Sequence, residues 1–570
     1  MRILFFSHAF NSLTQRLFVE LREQGHQVSV EFDINDAVTL EAVELFQPDL
    51  IIAPFLKRAI PQAIWSRHVC LIVHPGIRGD RGPSALDWAI LNREQHWGVT
   101  VLQANAEMDA GDIWASVEFP MREACKSSLY RNEVTQAAVT AVKLAVARYA
   151  AGDYRPEPLD DSAPGVRGAW RPAMRQSDRA IDWQQDDTAT VLRKLRCADG
   201  FPGVRDSLFG KEMFLYDAHP EATLRGPAGE VIARCGGALC RATRDGAVWI
   251  GQLRDRQSAS PFKLPATRLL PDETRGLPEI VPGRDSGYRD IWYEEAGEVG
   301  YLHFPFYNGA MSTAQCERLR LAYLESCRRD TRVIVLMGGP DFWSNGMHLN
   351  LIEAADSAAD ESWRNINAID DLAADIITTT SHLTVAALRG NAGAGGVFLA
   401  RAADFVWAHT GVILNPHYKD MGNLYGSEYW SYLLPRYAGE EHAEQITRAR
   451  LPMGSREACA MGLLDDWFGS DSEDFGRLAV ERAKALAVSP DYAARLEEKR
   501  ARRRRDEANM PLARYRDKEL EKMRLNFYGF DPSYHVARYN FVHKVPKSRT
   551  PLTLANHRRI RPAGAVRNAS

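Results

Sequence analysis

Hydrophobic and polar positions fall into two separate stretches of strand–helix rhythm along this chain. The apolar run RILFFS over 2–7 reads as a buried strand, and Leu13, Leu17, Phe18 and Leu21 follow at helical spacing. QVSVEFD, ending at Asp33, then the helical LEAVELF and the strand DLIIAPF from Asp49, continue the rhythm. Strands alternating with helices predict a parallel sheet with helices on both faces, a Rossmann-like domain over 1–150. Glycines and prolines crowd 151–180, which reads as a linker. Over 181–265 a short helical piece precedes the closely spaced strands EMFLYDA, GEVIARC, ALCRAT and AVWIGQL, which predict a small β-barrel. A second Pro-rich linker covers 266–285. The α/β rhythm restarts over 286–490 with the strand VGYLHFPF, a helix placing Cys316, Leu319 and Tyr323 on one face, and the strand RVIVLMGG. Residues 491–570 change character: EEKRARRRRDE and RDKELEKMRLNF predict a charged helical extension. The last 20 or so residues are polar and basic, and are expected to be poorly ordered.

At 570 residues the chain exceeds what one core can serve, so several domains are expected. A net charge of -3 gives no general attraction to nucleic acid. The basic run Arg502–Arg505 is flanked by Glu497, Glu498, Asp506 and Glu507, which reads as a solvated helix face. No stretch approaches the ~20 apolar residues that cross a bilayer, and the opening segment reads as a buried strand, not a signal peptide. The eight cysteines form no paired CxxC motif, so no metal is expected, and their scatter fits a reducing cytoplasm. No GxGxxG follows the first strand, so a dinucleotide cofactor is not indicated.

Candidate chemistry gathers at two places. In LIVHPGIRGDRG, His74 stands where a buried strand meets a Gly-rich turn, and GVTVLQ leads into an acidic loop with Asp109 and Asp112. At the carboxyl ends of two parallel strands such a His and Asp can pair, the carboxylate orienting a general base or acid. HPGxRGxxG followed by GVTxxxxxxxMDAGDI resembles the formyl-tetrahydrofolate-dependent transferases. PFLKRAIPQAIW, and IDWQQDDTATVLRKLRCADGFPGVRDSLFGKEMFLYDA further on, extend that resemblance to residue 260 or so. It implies 10-formyl-tetrahydrofolate as formyl donor and a catalytic role for His74 and Asp109. It also implies the loop Asn105–Gly111 closing over the pterin, and Arg16, Arg78 and Arg81 as candidates for glutamate or phosphate charge. Where that family has an Asn two residues before its His, this chain has Ile72. The lost amide would otherwise donate to the oxyanion, a contact worth about 3–4 kcal/mol. A thiol acceptor, already partly ionised near neutral pH, tolerates that loss better than an amine.

At the second place, GGPDFWSNGMHLNLIE and TVAALRGNAGAGGVFLARAADFVWA resemble the two oxyanion-hole segments of the crotonase (enoyl-CoA hydratase/isomerase) family, and LPMGSREACAMGLLDDWF a later one. The resemblance implies a ββα superhelix, coenzyme A as substrate, and a thioester oxygen held by the backbone N–H groups of Met347 and Gly395. Gly393 and Gly396 beside them let backbone approach a ligand. Phe398 stands where a hydratase has its first Glu, and Tyr418 where it has the second, so hydration of a double bond is not expected. Tyr418 and Glu428 remain as the proton-transfer pair, with His348, His417 and Lys419 nearby.

A formyl transferase joined to a crotonase resembles the HypX/HoxX hydrogenase maturation factors from end to end. That implies transfer of formyl to coenzyme A, then release of carbon monoxide from formyl-CoA for a NiFe site, with hydrogenase maturation proteins as partners. Two other classes fit the residues: a formyl-folate hydrolase with a separate acyl-CoA hydrolase or isomerase, and a non-catalytic scaffold binding folate and CoA.

Overall fold

The computed structural model describes residues 1–160, 162–283 and 286–559. The end of the second linker, 284–285, and the final 560–570 of the tail expected to be poorly ordered lie outside the described residues. The chain divides into two compact units. One holds Met1–Leu253, Pro265–Gly287 and the tail from Pro546; the other holds Arg254–Leu264 and Tyr288–Val545.

The first unit opens with a six-stranded sheet: β1 (Arg2–Ser7), β2 (Gln27–Phe32), β3 (Leu50–Phe55), β4 (Cys70–His74), β5 (His96–Gln103) and β6 (Ile113–Pro120). The spatial order is β2-β1-β3-β4-β5-β6. The helix Ser12–Glu23 starts where Asn11 accepts the Thr14 N–H, and it buries Leu13, Leu17, Phe18 and Leu21, as their spacing predicts. Only β1 to β4 are parallel; β5 runs antiparallel to β4, and β6 to β5. The wholly parallel sheet expected from the strand–helix rhythm is therefore a mixed one. The connection from β5 to β6, over 104–112, is too short for a parallel crossover, whereas β4 and β5 pair antiparallel although a helix lies between them.

The segment 151–180 is not a free linker. Glu157 pairs with Ile113, and the N–H groups of Gly168 and Arg171 donate to the carbonyls of Arg78 and Arg81 in the Gly-rich turn. The short strands that follow form a second six-stranded sheet: β7 (Val204–Leu208), β8 (Lys211–Glu221), β9 (Val231–Cys235), β10 (Ala238–Ala242), β11 (Ala247–Arg254) and β12 (Leu264–Pro265). Its order is β7-β8-β11-β10-β9, with β12 on β11. Among the described residues β7 and β9 do not pair, so the expected barrel is an open sheet.

Residues 551–559 are ordered against the first sheet, contrary to the expectation for the tail. Edge strand β2 donates from Val30 N to Leu554 O (3.0 Å) and from Phe32 N to Thr550 Oγ1 (2.8 Å). Glu31, fully buried on that strand, meets His557 Nε2 at 2.8 Å, Arg558 at 2.7 Å and the Thr550 hydroxyl. Burial alone would raise its pKa, yet the hydrogen bonds from His557, Thr550 and Arg558 bring it below the usual carboxylate value. A buried carboxylate must find such partners, and periodicity cannot reveal a partner 526 positions away.

The second unit begins with the antiparallel hairpin β13 (Trp292–Ala296) and β14 (Val299–His303). It continues with β15 (Val333–Leu336), β16 (Phe342–Ser344), β17 (Leu383–Leu388), β18 (Asn391–Gly393), β19 (Phe405–Ala408), β20 (Ile413–Asn415), β21 (Met453–Gly454) and β22 (Asp466–Trp467). One sheet has the order β13-β14-β15-β17-β19-β22 and the other β16-β18-β20-β21. β15, β17 and β19 are each followed by a short strand in the other sheet and then by a helix, the ββα repeat that the crotonase resemblance implies. The helix Thr313–Ser326 buries Cys316, Leu319 and Tyr323, as predicted. The charged extension is partly interior: its helix Leu512–Tyr528 buries Leu512, Glu519, Met523 and Phe527.

Candidate active sites

His74 ends β4 and is almost wholly buried. Its Nε2 lies 2.9 Å from Asp80 Oδ2, and its Nδ1 lies 3.5 Å from Asp109 Oδ2. The pair does not arise from two parallel strand ends, because β5 runs backwards and sets Thr100 opposite His74 and Gln103 opposite Leu71. Asp109 comes instead from the loop between β5 and β6, at φ 52°, with its carboxylate accepting the Gly82 N–H at 3.2 Å. Two glycines make this possible. A Cβ on Gly76 would lie 2.4 Å from His74 Nε2, and one on Gly111 would lie 1.7 Å from the Gln103 carbonyl oxygen.

Asp80 escaped the sequence reasoning, and its only sequence signal is an acid in the Gly-rich turn after the histidine. It is buried, and its Oδ1 has no hydrogen bond among the described residues, with Arg171 Nε 3.9 Å away. Ile72, two residues before His74, packs half-buried and brings no amide to the site. Asn105 Oδ1 accepts the Glu107 N–H at 2.8 Å within the loop that carries Asp109, and Arg81, from the Gly-rich turn, is tied to that loop through Glu107 at 3.0 Å. Arg78 pairs with Glu157 on the returning segment. Arg16 is held by Glu20 at 2.6 Å, a carboxylate that Lys143 shares, and no described hydrogen bond joins it to His74.

In the second unit the structure brings Tyr418, Glu428 and Gly395 together. The Tyr418 hydroxyl lies 2.6 Å from Glu428 Oε2 and 2.9 Å from the Ser427 carbonyl oxygen. The Glu428 carboxylate rests on Gly395, where a Cβ would fall 2.0 Å from Oε1. Phe398, in the place of a hydratase Glu, stacks on the Tyr418 ring with centroids 5.5 Å apart and planes at 18°. Burial, and then the charge of Asp370, pushes the Glu428 carboxyl well above the usual carboxylate range. Burial, and then Glu428, likewise raises Tyr418 far above an ordinary phenol.

Gly395 is the first residue of the helix Gly395–Arg401, so its N–H has no acceptor within that helix. Met347 lies beside Met311, but the bonds there run from Met311 N to Gly346 O (2.9 Å) and from His348 N to Met311 O (3.1 Å). The Met347 N–H therefore faces away from Met311, and a Cβ on Gly346 would lie 3.5 Å from Gly395 N. Among the described residues no hydrogen bond occupies either amide, and two such donors in adjacent backbone are what an oxyanion hole requires. Gly393 and Gly396 serve the frame, since side chains there would come 2.9 Å from Asn345 Oδ1 and 2.1 Å from the Ser344 carbonyl oxygen. His348 caps a helix by accepting the Leu351 N–H at 3.2 Å, and burial lowers its pKa to about 4. Burial lowers the pKa of His417 too, and Lys419 is exposed. A methyl group at Gly395 must displace Glu428. Gly395→Ala is therefore expected to cut thioester turnover about 100-fold or more, measured as kcat on an acyl-CoA substrate.

Comparison with known proteins accounts for most of the chain. The Formyl transferase family matches residues 31–146, its C-terminal domain matches 173–262, and Enoyl-CoA hydratase/isomerase matches 302–526. The hydrogenase maturation factor HoxX of Bradyrhizobium diazoefficiens is 59% identical over 564 residues, spanning 99% of this chain and 98% of that protein. The crystal structure of HypX from Aquifex aeolicus in complex with tetrahydrofolic acid superposes with a TM-score of 0.94 at 50% identity, over 98% of this chain and 99% of that one. Methionyl-tRNA formyltransferase of Halalkalibacterium halodurans is 24% identical over 221 residues, 38% of this chain and 68% of that enzyme. Among the described residues no helix is long and apolar enough to cross a membrane.

Proposed function

Because the chain belongs to the HypX/HoxX family of hydrogenase maturation factors, we propose that it makes carbon monoxide for a NiFe active site in two steps. In the first unit the thiol of coenzyme A attacks the formyl carbon of 10-formyl-tetrahydrofolate. A C–S bond forms and the C–N bond to the folate breaks. His74 takes the thiol proton and returns it to the folate nitrogen, held for that task by Asp109 and Asp80. The folate complex of the Aquifex aeolicus protein supports a folate site in this family. Arg78, Arg81, Asn105 and Gly111 border the loop we assign to folate binding; Arg16, paired with Glu20, is the weakest of the binding candidates.

In the second unit formyl-CoA has no α-carbon, so enolate chemistry is closed to it. Glu428 removes the formyl proton while the thioester oxygen rests on the Met347 and Gly395 amides. The C–S bond breaks, its electron pair leaves with the thiolate, and carbon monoxide is released. Tyr418 protonates the thiolate and regains a proton from Glu428, so the step is balanced without an oxidant. The observation that carries this reading is the Tyr418–Glu428 pair set against Gly395, with Phe398 removing the hydratase carboxylate.

The test is incubation with carbon-labelled formyl-folate and coenzyme A while a haem protein traps any carbon monoxide. Labelled carbon monoxide supports the two-step reading. Labelled formate would support the hydrolase instead, and tight binding of both ligands without turnover would support the scaffold. The rate should also depend on pH in one direction. Glu428 acts when ionised, and its pKa is raised, so carbon monoxide release is expected to climb as pH rises past neutrality. A rate that falls over that interval would contradict the assignment. The maturation proteins that receive the product, and a cytoplasmic setting, belong to the same proposal.

A further inference from the structure

Glu428 and Tyr429 are consecutive non-glycine residues in the left-handed region, at φ 61° and 59°. Such a pair persists only where surrounding structure enforces it. Two buried carboxylates do so, each from a different helix. From the helix Ala358–Thr378, Asp370 Oδ1 accepts the Glu428 N–H at 2.8 Å, and its two oxygens lie 2.8 and 2.7 Å from Ser427 Oγ. From the helix Leu512–Tyr528, Glu519 accepts the Tyr429 N–H at 2.9 Å and the Ser431 N–H at 2.8 Å. Asp370, Ser427 and Glu519 are all at 0% exposure.

Burial disfavours both acids, and propensity disfavours Asp370 as well. Aspartate is a poor helix former, and a buried carboxylate is costly unless it is needed. The counter-charge is sparse: Arg516 Nε lies 3.8 Å from Asp370 and spends another nitrogen on Asp371 at 2.7 Å. Asp370 and Glu519 approach the 427–431 turn through its backbone N–H groups and serine hydroxyls, while the Glu428 carboxylate rests on Gly395 and Tyr418.

We infer that Asp370 and Glu519 are positioning residues: they lock the left-handed 428–429 turn that aims Glu428 at the oxyanion hole, and Asp370 keeps negative charge behind it. The inference rests on the proposed role of Glu428 as base. Burial and the neighbouring Asp370 push Glu519 up to about 8, and the same two causes raise Glu428. The titratable groups that face this cluster are Tyr418, Tyr425, Tyr429, Asp370, Asp371, Glu519, Arg516 and the Cys316 thiol of the helix Thr313–Ser326. Removing the Asp370 charge therefore weakens Glu428 as a base as well as loosening its turn.

The test is Asp370→Asn in the full chain, with Glu519→Gln as a second variant should the first fail to fold. For carbon monoxide release from formyl-CoA, kcat is expected to fall about tenfold or more with KM nearly unchanged, and the rising limb of the pH profile to move to lower pH. An activity-independent readout is the infrared band of the protonated Glu428 carboxyl, assigned by its loss in Glu428→Gln. Its titration midpoint should drop in Asp370→Asn. A folded variant with unchanged kcat, pH profile and midpoint overturns the positioning role. If the wild type releases no carbon monoxide but the midpoint still drops, the positioning stands and the decarbonylation reading fails.

Discussion

Glu428→Gln is expected to leave formyl transfer to coenzyme A intact and to cut carbon monoxide release from formyl-CoA by about 100-fold or more, the ordinary cost of losing a general base. The amide keeps the volume that rests on Gly395 and can still meet the Tyr418 hydroxyl, so binding should hold while the chemical step fails. Tyr418→Phe should be milder. It removes the proton donor to the thiolate but keeps the ring that stacks on Phe398. Single-turnover measurements with preformed formyl-CoA separate the two steps, since they bypass the folate site. A Glu428→Gln protein that releases carbon monoxide at the wild-type rate would remove Glu428 from the mechanism and leave the oxyanion hole without an assigned base.

Deleting the chain from Pro546 onward should strike the first unit. Glu31 would lose His557, Arg558 and the Thr550 hydroxyl together, and β2 would lose the cover of its outer edge. Stranding a buried carboxylate costs about 3–5 kcal/mol. For a unit of this size that is a drop in melting temperature on the order of 10 °C, visible as a displaced first-unit transition in calorimetry. The pH dependence fixes the cause. Glu31 is depressed in the folded chain, so its contribution is present above the unfolded carboxylate pKa and is lost as pH falls through the folded value. The gap between full and truncated chains should therefore narrow on acidification. Glu31→Gln in the truncated chain should recover part of the loss. If the truncated chain melts like the full one, the tail is ornamental and the prediction fails.

What could be read from the sequence follows what local pattern can carry. The strand–helix rhythm placed β1 to β4 and the restart of strand and helix at β14 and β15, because burial on a strand or helix face leaves a period, while the ββα repeat came from the crotonase resemblance. His74 and Asp109 stood out at a Gly-rich turn and an acidic loop and gained weight from the formyltransferase resemblance, whereas Tyr418 and Glu428 came from the crotonase resemblance. The antiparallel return of β5 left no such mark, since a strand's period is the same in either direction. Asp80, Asp370 and Glu519 were passed over for a related reason: an acid on a helix or in a turn looks solvated until its partners are known. The last of these sits in RDKELEKMRLNF, where seven of twelve residues are charged, and it alone of those seven is buried.

The tail that closes over β2 also sets a schedule. Strand β2 leaves the ribosome early, while its cover lies some 528 positions later. At roughly 5–20 residues per second that interval lasts about 30 to 100 s. Throughout it the nascent chain shows an unpaired strand edge with a lone carboxylate, a surface that invites association with other chains. The first unit is thus begun first and finished last, after every residue of the second has been made. A chain that stops before Pro546 would carry a complete second unit beside an unfinished first one.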